Sequence, residues 1–169
     1  MKKIAILLES QFDERELLYP YYRLLEEGYT VDVIGTQKDT VYKSKAGLEF
    51  ESTHSSEEIT ASDYDAVVIP GGFSPDYMRR CINTVDFVKE MDKQGKVIAA
   101  ICHGPWMLAS ACDLEGKNVT SFYSIKDDLI NAGANYIDEA VVVDENIITS
   151  RTPKDLTVFV KTIIDKLEK

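Results

Sequence analysis

Cys102 is the residue of this chain best placed to do chemistry. The apolar run Val97-Ile98-Ala99-Ala100-Ile101 stops at Cys102-His103-Gly104-Pro105, and residues 106–111 beyond it are helix-forming. A short, partly β-branched run bounded by turn formers reads as a buried parallel strand. A strand passing into a helix through small-x-Cys-x-Gly has the layout of a nucleophile elbow, with a thiol where serine is more familiar. Ala100 and Gly104 leave room for the tight turn that holds the nucleophile in a strained, exposed position. The start of a helix favours thiolate over thiol, because its free N–H groups and dipole stabilise negative charge.

A thiolate nucleophile generally works with a histidine. The chain has two. His54, in the polar stretch 52–56, reads as a solvated loop residue. His103 directly follows Cys102, so its backbone N–H is the natural first oxyanion donor. Adjacent side chains usually diverge, so a direct contact between Cys102 and the His103 ring requires a distorted elbow. Pro70-Gly71-Gly72 follows an apolar strand, and its side-chain-free amides can approach a substrate carbonyl and supply the second donor. In the acidic cluster Asp13-Glu14-Arg15-Glu16, most carboxylates read as a solvated first helical turn. Glu16 differs, coming one turn into a helix that starts beside the site; a carboxylic acid kept protonated there could donate a hydrogen bond to the thiolate. Cys112 reads as packing on an apolar helix, and Cys81, after Arg79-Arg80, as surface or packing.

The elements that must position these groups alternate between strand and helix. Strands are expected at 3–8, 30–34, 66–69 and 97–101, with shorter ones at 119–122 and 136–137. Helices are expected at 14–27, closed by Gly28, near 85–93, and at 155–167. Small hairpins are expected at 41–51, split around Ala46-Gly47, and at 141–149 around Asp144-Glu145-Asn146. This alternation implies an α/β fold: a mostly parallel sheet with helices on both faces and ligands beyond the carboxyl ends of its strands. Loops 9–16, 70–75 and 102–104 meet at that edge.

The 169 residues suit one domain, 1–169, and 44% hydrophobic with 28% charged residues is ordinary globular composition. No apolar stretch is long enough to span a membrane, and Met1-Lys2-Lys3 runs straight into a strand instead of a signal peptide. A net charge of −10 argues against binding nucleic acid or anionic lipid. Three cysteines without Cys-x-x-Cys spacing suggest neither a disulfide framework nor a metal site. A reduced, cytoplasmic protein without metal or cofactor is expected.

With these residues in view, Ala-Ile-Cys-His-Gly-Pro at 100–105 resembles the elbow of the PfpI intracellular-protease family. The superfamily of that family includes the Parkinson-associated deglycase and, more distantly, class I glutamine amidotransferases. The likeness runs end to end, through Ile-Pro-Gly-Gly-Phe-Ser-Pro-Asp (69–76), residues 125–134, Glu-Ala-Val-Val-Val-Asp (139–144) and Thr-Ser-Arg-Thr-Pro-Lys-Asp-Leu (149–156). The resemblance implies a flavodoxin-like sandwich, with Cys102 as nucleophile, His103 beside it, and Glu16 as the acid bonded to the cysteine. It also implies an oxyanion hole from Gly71, Gly72 and the His103 amide. Asp76 matches the carboxylate that reaches the histidine of a neighbouring subunit, one methylene shorter than the family's glutamate, so a homo-oligomer, at least a dimer, is implied. Three further positions depart from the family. Asp13 stands where a glutamate is usual, Phe122 where some members carry a tyrosine, and Trp106 where glutamine is common.

The expected activity is that of a cysteine-dependent hydrolase or lyase in stress defence. Its substrates would be small α-oxoaldehydes or their adducts on amines and thiols, as in deglycase and glyoxalase chemistry. Peptidase action is the second enzymatic candidate. A thiol oxidation sensor, or chaperone-like stress protein, is the rival without catalysis, since Cys102 beside Glu16 suits reversible oxidation. A flavin-binding module comes last, because Leu8-Glu9-Ser10-Gln11 is too acidic and bulky to cradle phosphate.

Overall fold

The computed structural model describes Met1–Lys169. Three apolar runs form the centre of the sheet: β1 (Lys3–Leu7), β6 (Ala66–Ile69) and β7 (Val97–Ile101). Every residue of β6 and β7 is buried, as expected of strands covered on both faces. The sheet is completed by β2 (Thr30–Gly35), β5 (His54–Ser55), β10 (Val141–Asp144) and β11 (Ile147–Ser150), in the order β10-β11-β7-β6-β1-β2-β5. All neighbours pair in parallel except β10 with β11.

The two-residue period of the strands divides the core into two layers. Ala5, Leu7, Val67, Ile69, Ile98 and Ala100 face α3 (Ile82–Lys93) and α4 (Pro105–Ala111). Ile4, Ile6, Val68, Ala99 and Ile101 face α1 (Glu14–Glu26) and α6 (Leu156–Leu167). This is the three-layer α/β sandwich that the alternation of elements predicts. The chain order reverses between β1 and β6, because β1 continues to β2 on one side while β6 and β7 build the other. The crevice at such a reversal, beyond the strands' carboxyl ends, is where this architecture binds ligands.

Both expected hairpins form: β3 (Val41–Lys43) with β4 (Glu49–Glu51), and β10 with β11. Differences from the sequence expectation fall on short elements. The strand expected at 119–122 is only β8 (Asn118–Val119), paired with β9 (Asn135–Tyr136). It ends because side chains and the elbow take over its hydrogen bonds: Thr120 N–H donates to Thr149 Oγ1, and Phe122 N–H to the Cys102 carbonyl. The helices α2 (Ser74–Arg79) and α5 (Lys126–Asn131) are too short to leave a periodic signal, and α3 starts three residues earlier than expected. His54 is not a loop residue but the first residue of edge strand β5, with Nδ1 2.9 Å from Thr53 Oγ1.

Candidate active site

Cys102 has φ +62, a left-handed conformation that costs a residue with a Cβ on the order of 1–3 kcal/mol. The surroundings hold it there. Its N–H donates to Ser150 O at 3.0 Å, its carbonyl accepts from Phe122 N–H at 2.8 Å, and Gly104 N–H closes the turn onto Ile101 O at 2.8 Å. A Cβ at Gly104 would overlap the Ile69 carbonyl oxygen, so the turn accepts only glycine there. This is the strained strand-to-helix elbow expected from small-x-Cys-x-Gly.

Glu16 arrives from the first turn of α1 and is fully buried. Its Oε2 accepts the Gly71 N–H at 2.6 Å, while Oε1 is buried without a hydrogen-bond partner. The carboxyl, Cys102 and the His103 amide crowd around Gly71: a Cβ there would lie 2.6 Å from Glu16 Oε2 and 2.9 Å from both Cys102 Cβ and His103 N. Burial, then the charge of Asp13, pushes the Glu16 carboxyl up to about 8, so it is largely protonated at neutral pH. Burial, then the charge and hydrogen bonding of Glu16, raises the Cys102 thiol, with the His103 amide opposing. The thiolate-favouring effect expected of the α4 start is thus outweighed by burial. Protonation of Glu16 removes its charge and leaves a buried acid O–H as the natural donor to a Cys102 thiolate.

Of the three amides expected to hold an oxyanion, Gly71 is already committed to Glu16. It positions the acid, and in this arrangement its N–H is not free for substrate. Gly72 is held at φ +71 by an isolated bridge to Phe12, and Phe73 N–H donates to Gln11 O at 2.9 Å. No backbone carbonyl takes the N–H of Gly72, while the His103 N–H is directed at the Cys102 sulfur, where it favours the thiolate.

The His103 ring does reach the thiol. Its Nδ1 lies 3.5 Å from Cys102 Sγ, and its Nε2 lies 3.2 Å from Ser124 Oγ. Phe122 stacks on the ring at 5.1 Å, and Trp106 meets its edge at the same distance. The Trp106 indole N–H is itself tied to Asp128 at 2.8 Å, which turns it away from the thiol. Burial, then the charge of Lys45, lowers the His103 pKa, so the ring is neutral at pH 7. Asp76 lies on α2 and makes its ion pair with Arg80 one turn on; Ser124, not Asp76, holds Nε2 within this chain.

These groups line a pocket of about 330 Å³. Part of the lining is formed by Asp13, Arg15 and Lys45, and Asp13 is buried there instead of belonging to a solvated first turn. Asp13 caps α1 by accepting Arg15 N–H at 3.0 Å, and its Oδ2 accepts from Arg15 Nη2 at 2.8 Å and Lys45 Nζ at 2.7 Å. Burial alone would raise the Asp13 carboxyl, but these bonds and charges prevail and hold it down at about 2. Lys45 comes from the β3–β4 turn, which is fastened to the site by Lys45 N–H to Phe12 O at 3.1 Å and Ala46 N–H to Glu14 Oε1 at 2.9 Å.

A buried acid, a strained thiol, a neutral histidine and the amides of Gly72 and His103 at the reversal of a parallel sheet define a cysteine-centred site of the elbow type. The chain matches the DJ-1/PfpI family over residues 2–166 and belongs to it. The deglycase PfpI of Pyrococcus furiosus is 39% identical over 171 residues, covering 98% of this chain and 99% of its own. YraA of Bacillus subtilis, whose name assigns it provisionally to the cysteine proteases, is 42% identical over 167 residues, 99% of each chain. Among solved structures, a two-domain Anabaena variabilis protein with DJ-1/ThiJ/PfpI-like and ferritin-like domains superposes with a TM-score of 0.97 at 47% identity. The match covers 99% of this chain and 48% of that one. No helix is long and apolar enough to cross a membrane.

Proposed function

We propose that the protein is a cysteine-dependent enzyme acting on small α-oxoaldehydes, or on their adducts with amines and thiols. The observation that carries this reading is the placement of Cys102 Sγ 3.5 Å from a neutral His103 ring, beside the Gly72 and His103 amides and a largely protonated Glu16. The Cys102 sulfur adds to the aldehyde carbon, and its proton passes to the new oxygen, which the Gly72 and His103 amides hold while it carries charge. His103 then takes the proton from that carbon and returns one to the neighbouring carbonyl carbon, leaving a thioester of a 2-hydroxy acid. Water hydrolyses the thioester, releasing the acid and the thiol. With an adduct as substrate, the amine or thiol leaves on forming the free aldehyde. The pocket of about 330 Å³ suits such small carbonyl compounds. The names of relatives such as the P. furiosus deglycase point the same way.

This reading includes a homo-oligomer, at least a dimer, in which Asp76 of a neighbouring copy supports His103, and a cytoplasmic role in defence against reactive carbonyls. Asp76 faces outward on α2 with its side chain 35% exposed, which leaves it open to such a contact.

The test is turnover of methylglyoxal, of its fresh cysteine and lysine adducts, and of unmodified peptides. The expected result is 2-hydroxy acid from the first three above the buffer rate and no peptide cleavage. Cleavage of peptides alone would make the protein a peptidase. No turnover at all, with Cys102 oxidised selectively by mild peroxide, would make it a sensor.

A further inference from the structure

One part of the pocket lining carries two cations, Arg15 and Lys45, that the reaction at Cys102 does not use. Asp13 is the buried counter-ion, its side chain 2% exposed, whereas Arg15 and Lys45 are 64% and 47% exposed. Both Asp13 oxygens are occupied by these partners. Among the residues that line the pocket, Arg15 and Lys45 face Asp13, in a chain whose net charge is −10, while the carboxylate of Glu14 on the same turn is held by the Ala46 N–H. Of the two cations, Lys45 is the one whose charge acts on both catalytic groups, His103 and Glu16. Asp13 is its one ion-pair partner, leaving two ammonium N–H groups unengaged. The β3–β4 turn that carries Lys45 is fastened to the start of α1, so the ammonium group is held in place before any ligand arrives.

We propose that Lys45 is a specificity-determining residue that binds a carboxylate on the substrate while the substrate's carbonyl meets Cys102. The inference rests on Cys102 being the nucleophile of the proposed reaction. Its preferred substrates are then α-oxoaldehyde adducts of free amino acids or other small acids, over adducts of neutral amides. The carboxylate formed when a 2-hydroxy acid is released meets the same cation.

Alkylation of Cys102 tests the anion site without turnover. Iodoacetate and iodoacetamide both form an S–C bond to the thiolate with loss of iodide, and they differ in charge. The ratio of their rates therefore cancels the reactivity of the thiol and reads the charge preference of the pocket. Peptide mass mapping assigns the label to Cys102 instead of Cys81 or Cys112. The iodoacetate-to-iodoacetamide ratio is expected to be about tenfold higher in the wild type than in Lys45→Gln, as one partly screened charge across a small pocket provides. Lys45→Arg should keep most of that preference, and added salt should erode it.

Equal ratios in wild type and Lys45→Gln would overturn the proposal, as would a failure of either reagent to label Cys102. If the ratio differs as expected while no α-oxoaldehyde is turned over, the anion site stands and the proposed reaction falls. If turnover is observed, kcat/KM for the methylglyoxal adduct of N-acetylcysteine should exceed that of N-acetylcysteine amide about tenfold. That advantage should vanish in Lys45→Gln, mainly through KM. An equal loss on both adducts would overturn the proposal.

Discussion

Glu16→Gln is expected to remove a large pH dependence of stability from this protein. The Glu16 carboxyl is held at about 8 in the fold, against 4.5 as its ordinary value. Between those values the folded chain holds a proton that the unfolded chain has released, so stability falls as pH rises. The contribution is fully present below pH 4.5 and is lost as pH passes through about 8. Linkage puts the whole loss at about 5 kcal/mol, of which about 3 to 4 kcal/mol falls between pH 5 and pH 8. Glutamine has nearly the same shape, can still accept the Gly71 N–H, and never ionises. Urea unfolding at pH 5, 6.5 and 8 measures the difference between the two proteins. The variant should gain on the wild type steadily across that range, by roughly the same 3 to 4 kcal/mol. The comparison cancels His103, whose lowered pKa acts in the opposite sense in both proteins. Parallel curves would mean that Glu16 is ionised in the fold and cannot serve as donor to Cys102.

His103→Ala is expected to lower kcat by roughly a hundredfold to ten-thousandfold, the range of a positioned acid or base. Alanine keeps the backbone N–H at 103, so an oxyanion donor survives and the loss reports the ring alone. Ser124→Ala is a positioning change. It frees Nε2, now 3.2 Å from the hydroxyl, while the stacking of Phe122 still restrains the ring. Its loss should be a few-fold. For the wild type, the rate should fall on acidification only below the ordinary histidine range, because burial and Lys45 lower the pKa of His103. Rates from stopped assays between pH 5 and 8 would measure this. A His103→Ala enzyme with wild-type kcat would exclude the ring from proton transfer.

The architecture was legible because its signals were local and repeated. Fully apolar runs such as Val97–Ile101 have few alternatives to a buried parallel strand, and the turn formers after them set the edge where the loops meet. Cys102 was legible for the same reason, since its strain follows from a tight turn between a strand and Gly104. What escaped depends on distance in sequence. Nothing around Lys45 distinguishes it from any charged hairpin residue; only folding brings it to Asp13, 32 positions earlier. Ser124 likewise gains its meaning from His103. The amide of Gly71 could be expected to face substrate until Glu16, 55 residues away, proved to occupy it. The direction of the thiol shift turned on burial against a short helix's field, a balance that residue types alone do not decide.

The account stands most directly on one comparison: formation of 2-hydroxy acid from methylglyoxal by the wild type and by Cys102→Ser. Serine keeps the elbow nearly isosteric but replaces an ionisable thiol with a hydroxyl far harder to deprotonate. The wild type should turn over the aldehyde well above buffer, and the variant should fall by a factor of about a thousand or more, since it loses the covalent step. A serine variant that retains most of the activity, or a wild type no faster than buffer, would contradict the claim that Cys102 is the nucleophile of carbonyl chemistry.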